Sequence, residues 1–271
     1  MIGDLARIIS QYGIEEVMPI LFVVTLRPLG LLFGFGLFSW AFRGARTVRI
    51  SIAIALGLPT LALTIPDIEL LIAQATFGRI AWLAPKEIML GMAMGFLATL
   101  PFWALRYAGS IVAVYKGESD GGFQDPEGGT FESTALLFQL IGMAAFVNAD
   151  GLWLTVANLY KSYQIWPLNS PFPLVAFETS TLLFGILTTT LVTAIRTALP
   201  LLAILIFIDF TLAVATRIGR QIKLYDHAFA VKNLAALSLM PMFAYLIWII
   251  NADIGLVSAD GFSFLKAVLN E

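Results

Sequence analysis

Cysteine is missing altogether, and histidine occurs once, as His227. Without cysteine the chain holds no disulfide framework and no thiol-ligated metal site, and its redox compartment stays open. A single histidine leaves little room for histidine-dependent catalysis or for a zinc centre. Charge is scarce as well: Asp, Glu, Lys and Arg make up 13% of the residues, and the net charge is −2. That balance leaves no basic footprint for nucleic acid. The start of the chain also lacks the basic opening and small-residue cleavage site of a removable signal peptide. It carries Asp4, Glu15 and Glu16 against Arg7 alone, so the mature chain is expected to begin where the sequence does.

What is present is apolar surface. The chain is 59% hydrophobic with a mean hydropathy of +0.88, which places it among integral membrane proteins; with its apolar runs read as helices, the expected fold class is all-α. Val17 to Phe42 is the first apolar segment, interrupted by Arg27-Pro28 and by glycines at 30, 34 and 36 that permit close helix approach. Ile50 to Ile65 is short and split by Pro59, and Asp67 to Pro85 is mixed and amphipathic. Lys86 to Tyr115 is the longest apolar run, with Pro101 inside it. Ser133 to Tyr160 follows, then a proline-rich elbow from Ser162 to Pro173. Leu174 to Ile195 and Ala198 to Ala215 are expected to form a hairpin around Arg196 and Pro200, and Ala228 to Ile250 is the last long apolar segment.

Charge sorting does not fit a simple serpentine. Cytoplasmic loops should be rich in Lys and Arg, yet five apolar segments separate the basic clusters Arg43–Arg49 and Arg217–Lys223. An odd number of crossings puts the clusters on opposite sides. Either some segments re-enter without crossing, or the chain does not sit in the bilayer as an ordinary bundle.

Between the apolar arms lies Gly117 to Thr130, GESDGGFQDPEGGT, with five glycines and four acids in fourteen residues. Glycine loses too much freedom for this stretch to be helix or strand for long, and Pro126 lacks an amide donor. Nor can it face lipid, where each unpaired backbone group costs several kcal/mol. It is either an ordinary polar loop in water or the lining of a protein-walled cavity. No phosphate-binding lysine signature accompanies it, and Asp120, Asp125 and Glu127 do not have the spacing of a calcium loop.

Ionisable residues within apolar runs face a protein interior or a water path. Arg27, Arg106, Arg196, Asp209 and Lys232 qualify. Asp209 and Lys232 lie in successive segments and are expected to meet as a buried pair that fixes helix register; a proton relay is the sharper alternative. Met89, Met92 and Met94 are read as helix packing, with a deformable pore lining as the alternative.

The run KEIMLGMAMGFLATLPFWALRYAGSIV, the loop with its DP, then LLFQLIGMAAFVNADGLWL and SYQIWPL resemble the SctT/FliR family of export-apparatus proteins. Those serve type III secretion systems and bacterial flagella, and PFWAL and SYQIWPL look more like the injectisome branch. IDFTLAVATRIGRQIKLYDHAFAVKNLAA is similar to the family's pattern of acidic residue, basic turn and lysine, which places Asp209, Arg217 and Lys232. The turn departs from it: Ile218-Gly219-Arg220 stands where family members often have phenylalanine-alanine-proline.

The resemblance implies one export-apparatus domain over residues 1–271, built of kinked helical hairpins that form one subunit of a cone-shaped export gate. It implies a multi-pass protein of the bacterial inner membrane, partly raised toward the periplasm, in contact with lipid. Expected partners are the SctR/FliP-type and SctS/FliQ-type subunits, the SctU/FlhB-type switch protein and the secreted substrate proteins. It implies a plug over 117–130, with Gly117, Glu118, Asp120, Gly121, Gly122, Phe123, Asp125, Pro126, Gly128 and Gly129 as its residues. Arg27, Arg106, Asp209 and Lys232 are the structural charges, and no catalytic residue, metal or cofactor is expected. Two rivals stand beside this reading. Broken helices with midplane charges also suit a secondary transporter, although no inverted repeat is visible. A membrane enzyme using the loop acids is the weaker rival.

Overall fold

The structure, a computed structural model, describes residues 10–11, 13–41, 45–73, 77–118, 123–124, 130–170, 179–218 and 228–245. The described residues are helical apart from short connections and one two-residue ladder. Helices α1 (Ile14–Gly34) and α2 (Gly36–Ala41) are followed by α3 (Arg46–Ala73) and α4 (Phe77–Lys116). Strands β1 (Phe123–Gln124) and β2 (Thr130–Phe131) pair antiparallel, with Phe123 opposite Phe131. Then come α5 (Ser133–Asn148), α6 (Gly151–Ile165), α7 (Thr179–Ile218) and α8 (Ala228–Tyr245). Three of these helices, within α4, α7 and α8, are long and apolar enough to cross a membrane; a fourth span results if α5 and α6 count as one broken crossing.

Backbone contacts divide the chain into two compact units. The first contains α1 to α3, α4 as far as Thr99, and α6. Its core gathers Val23, Val24, Leu31 and Leu32 with Ala53, Leu83, Leu159 and Leu168. The second contains α4 from Leu100, the ladder, α5, α7 and α8, around Leu105, Ala108, Phe138, Leu201, Leu205 and Phe243.

Glycine decides the packing of the first unit. Gly30 and Gly34 on α1 and Gly91 and Gly95 on α4 each repeat at four residues, so each pair lies on one helix face. A Cβ at Gly30 or Gly34 would strike the α4 backbone at Ile88 or Met92, and one at Gly91 or Gly95 would strike the α1 backbone at Arg27 or Leu31. Small residues on both sides let the two backbones touch, the packing expected where apolar helices cannot rely on hydrophobic exclusion. α1 then stops at Phe35, and Thr99 bridges the break: its Oγ1 accepts from Gly36 N at 2.8 Å and can donate to Gly95 O at 2.8 Å.

Three sequence expectations change. No hairpin turns at Arg196 and Pro200, because Thr179–Ile218 is one helix of 40 residues with Pro200 inside it. The proline removes one donor. Meanwhile the hydroxyls of Thr188, Thr189, Thr193, Thr197 and Thr211 bond carbonyls four residues back, which lets them sit in apolar surroundings. Pro59 likewise fails to split its segment, and α3 runs through it. Conversely, the run Ser133 to Tyr160 is two helices, broken where Asp150 adopts a left-handed conformation (φ 56°, ψ 23°).

Candidate functional site: a buried charge cluster and the neck of the glycine-rich loop

The close α1–α4 crossing sets Arg27 beside Glu87, both fully buried. Arg27 Nε donates to Glu87 Oε2 at 2.7 Å and Nη2 to Oε1 at 3.0 Å, a two-point contact that matches the planar guanidinium to the carboxylate. The remaining donors reach the end of α6: Nη1 to Ser162 Oγ in its last turns at 3.1 Å and Nη2 to the carbonyl of Trp166, its C-cap, at 3.0 Å. The Tyr163 ring lies 4.0 Å from the guanidinium carbon, and its hydroxyl donates to Val24 O at 2.9 Å. Lys86, also buried, lies 3.2 Å from Glu87 and donates to the Leu168 carbonyl at 2.7 Å and the Ser170 carbonyl at 3.1 Å. The SYQIWPL stretch is therefore the wall of a polar cluster in the first unit. Sequence reasoning found Arg27 but missed Lys86 and Glu87. They open the long apolar run and so read as its boundary.

The loop begins and ends in the second unit. α4 closes with Gly117 at φ 82°, a left-handed position that favours glycine. Gly117 N donates to Val114 O at 3.1 Å and Glu118 N to Ala113 O at 2.9 Å, the paired bonds of a Schellman cap. Gly117 and the Glu118 backbone thus terminate a helix. The Glu118 carboxylate crosses to the other side of the loop, where Ser133 N donates to Oε1 at 2.8 Å and the Thr134 hydroxyl to Oε2 at 2.7 Å. An anion at the first turn of α5 satisfies an orphan amide and suits the helix dipole. Lys116 completes the clamp at 3.0 Å. Partial burial pushes this carboxyl up, but the hydrogen bonds from Thr134 and Lys116, the Lys116 charge and the Ser133 amide outweigh it and hold its pKa below 4.5.

Further contacts close the neck. Ser110 donates to Glu132 at 3.0 Å, and Gly109 lies so close to Ala135 that a Cβ there would come within 2.6 Å of its Cα. Behind the cap, the Tyr115 hydroxyl donates to Asp209 Oδ2 at 2.8 Å, and Lys232 Nζ stands 3.4 Å from Asp209 and 3.3 Å from the Tyr115 carbonyl. Asp209 and Lys232 therefore meet, as partly exposed rather than buried groups in the chain alone.

The other expected residues fall as follows. Phe123 is in β1. Asp120, Gly121, Gly122, Asp125, Pro126, Gly128 and Gly129 lie outside the described residues, as does the turn at Gly219-Arg220. Arg106 is half-buried on α4, and Arg196 is exposed on α7. Of the three methionines read as packing, Met94 lies in the core, whereas Met89 and Met92 are exposed. Among the described residues no group of His, Cys, Asp and Glu has the arrangement of a metal site.

Residues 18–254 match the family model described as bacterial export proteins, family 1. The chain is similar to Yop proteins translocation protein T of Yersinia pestis, with 29% identity over 69% of this chain and 72% of that protein. It is similar to surface presentation of antigens protein SpaR of Shigella sonnei, with 28% identity over 61% of this chain and 64% of that protein. It is also similar to flagellar biosynthetic protein FliR of Escherichia coli strain K12, with 27% identity over 59% of this chain and 60% of that protein.

Proposed function

The chain belongs to the bacterial export proteins, family 1, and from that premise we propose that it is the subunit that closes and seals a type III secretion export gate. In this reading it is a membrane subunit of the export apparatus, without catalytic chemistry of its own. It lines the path by which unfolded proteins leave across the bacterial inner membrane, and the 117–130 loop obstructs that path at rest.

The observation that carries this reading is the neck. A linker would leave its two ends free to separate. Here Glu118 caps the end of α4 with its backbone and the start of α5 with its carboxylate, and β1 pairs with β2 just beyond. The two ends of this acid- and glycine-rich stretch are tied together, which suits a plug that yields to a passing chain without losing its anchorage.

Helix length supports the assembly. α4 and α7 have 40 residues each and extend about 60 Å, twice the ~30 Å hydrocarbon core. Leu187–Ile218 is mostly exposed in the chain alone. Such a helix needs neighbouring protein over part of its length, which favours a place among SctR/FliP-type and SctS/FliQ-type subunits in a cone raised toward the periplasm. The test is co-production with those two partner types, followed by native mass measurement. A single copy in a defined complex is expected; a well-behaved monomer in detergent, indifferent to the partners, overturns the reading.

A further inference from the structure

The last turn of α4 leaves more carbonyls than its cap can satisfy. The Schellman bonds use those of Ala113 and Val114, and the Tyr115 carbonyl is the next in line. Lys232, from α8, reaches that carbonyl at 3.3 Å with its ammonium 5.2 Å from the Tyr115 ring centre. A cation there donates to that carbonyl and also complements the negative end of a long helix. Asp209, from α7, holds the ammonium at 3.4 Å and takes the Tyr115 hydroxyl at 2.8 Å. Two residues on, Gly117 faces the Phe229 ring of α8, so that a Cβ there would lie 3.3 Å from it. One tyrosine is thus gripped at both its backbone and its side chain, immediately before the chain leaves α4.

We propose that Tyr115, Asp209 and Lys232 form a latch that fixes where α4 ends and holds the root of the loop against α7 and α8. It rests on the reading of the loop as a seal. The three are positioning residues: they set the register from which the seal projects. Arg in place of Lys232 keeps the charge and the reach, whereas Met keeps the length alone. The contact joins charges on two helices to a helix end, so breaking it frays the last turn of α4 rather than dissolving the core, whose members Ala108 and Val112 lie farther back.

The cysteine-free chain makes the test clean, since an introduced thiol is the chain's sole one. Ala113→Cys places it at a fully buried position in the turn that the latch holds. The assembled complex is treated with a water-soluble maleimide, and ion leak is measured on the same preparation. Lys232→Met and Asp209→Asn should each raise the labelling rate on the order of tenfold, the loss of one hydrogen bond to a charged group, and raise the leak with it. Lys232→Arg should stay near the parent. Tyr115→Phe, which removes one hydroxyl, should fall between and carries the test if the charge variants do not assemble. Parental labelling in Lys232→Met, or equal labelling in Lys232→Arg and Lys232→Met, overturns the latch. Raised labelling at parental leak overturns its hold on the seal. Deleting residues 119–129 is the separate control: if that deletion does not leak, the seal reading fails while the labelling still judges the latch at the helix end.

Discussion

Arg27 and Glu87, sixty residues apart, share two hydrogen bonds of 2.7 and 3.0 Å at zero solvent exposure. Lys86 makes the cluster asymmetric. Removing Arg27 leaves Glu87 paired with Lys86, whereas removing Glu87 takes the shared carboxylate from both buried cations at once. Breaking a buried pair costs roughly 3–5 kcal/mol. Glu87→Gln should therefore lower the thermal stability of the complex more than Arg27→Met, and Arg27→Met/Glu87→Met together should cost less than the sum of the two. Thermal unfolding of the assembled complex in detergent reads this order; equal losses for Glu87→Gln and Arg27→Met would contradict it.

The glycines give a paired prediction. At Gly91 a Cβ would collide with the Arg27 carbonyl, which is backbone and cannot swing away, so Gly91→Ala must part α1 from α4 at about 1–3 kcal/mol or more. At Gly185, in the open part of α7, a Cβ meets nothing within 4 Å. Gly185→Ala should stabilise by roughly 0.5–1 kcal/mol through helix propensity. Unfolding midpoints of the two variants should move in opposite directions.

These two sites show how much of the fold was legible. The apolar runs marked the helices, and the glycines at 30 and 34 marked a close approach, but Gly91 and Gly95 as their partners lie in another helix that periodicity does not connect to the first. Pro200 read as a turn because a proline beside a charge breaks most helices; the long apolar flanks overrode it in α7. Asn148 to Asp150 read as part of one run because two polar residues among many apolar ones barely change the pattern, yet one left-handed aspartate breaks the helix. Glu118 was legible as a loop acid, but its clamp on Ser133 spans fifteen residues and leaves no local signature.

Acid should loosen the neck. The Glu118 carboxyl is held below its ordinary value of 4.5, so its contribution is present above that pH and is lost as pH falls through the lower value in the folded chain. The stability difference between the parent and Glu118→Gln should be at full size at about pH 7 and shrink below pH 4.5. Glu118→Ala, which also removes the cap, should cost about 1 kcal/mol at neutral pH. Hydrogen exchange at the Ser133 amide, followed against pH in parent and variant, checks both.

The central claim is that the loop seals an export path, and ion conductance tests it most directly. Residues 119–129 are removed while Gly117 and Glu118 stay to cap α4 and clamp α5, and the shortened chain is assembled with its partner subunits in a membrane. The account predicts that the complex keeps its mass while the membrane becomes leaky to ions and small molecules. Unchanged conductance in an intact complex would contradict it.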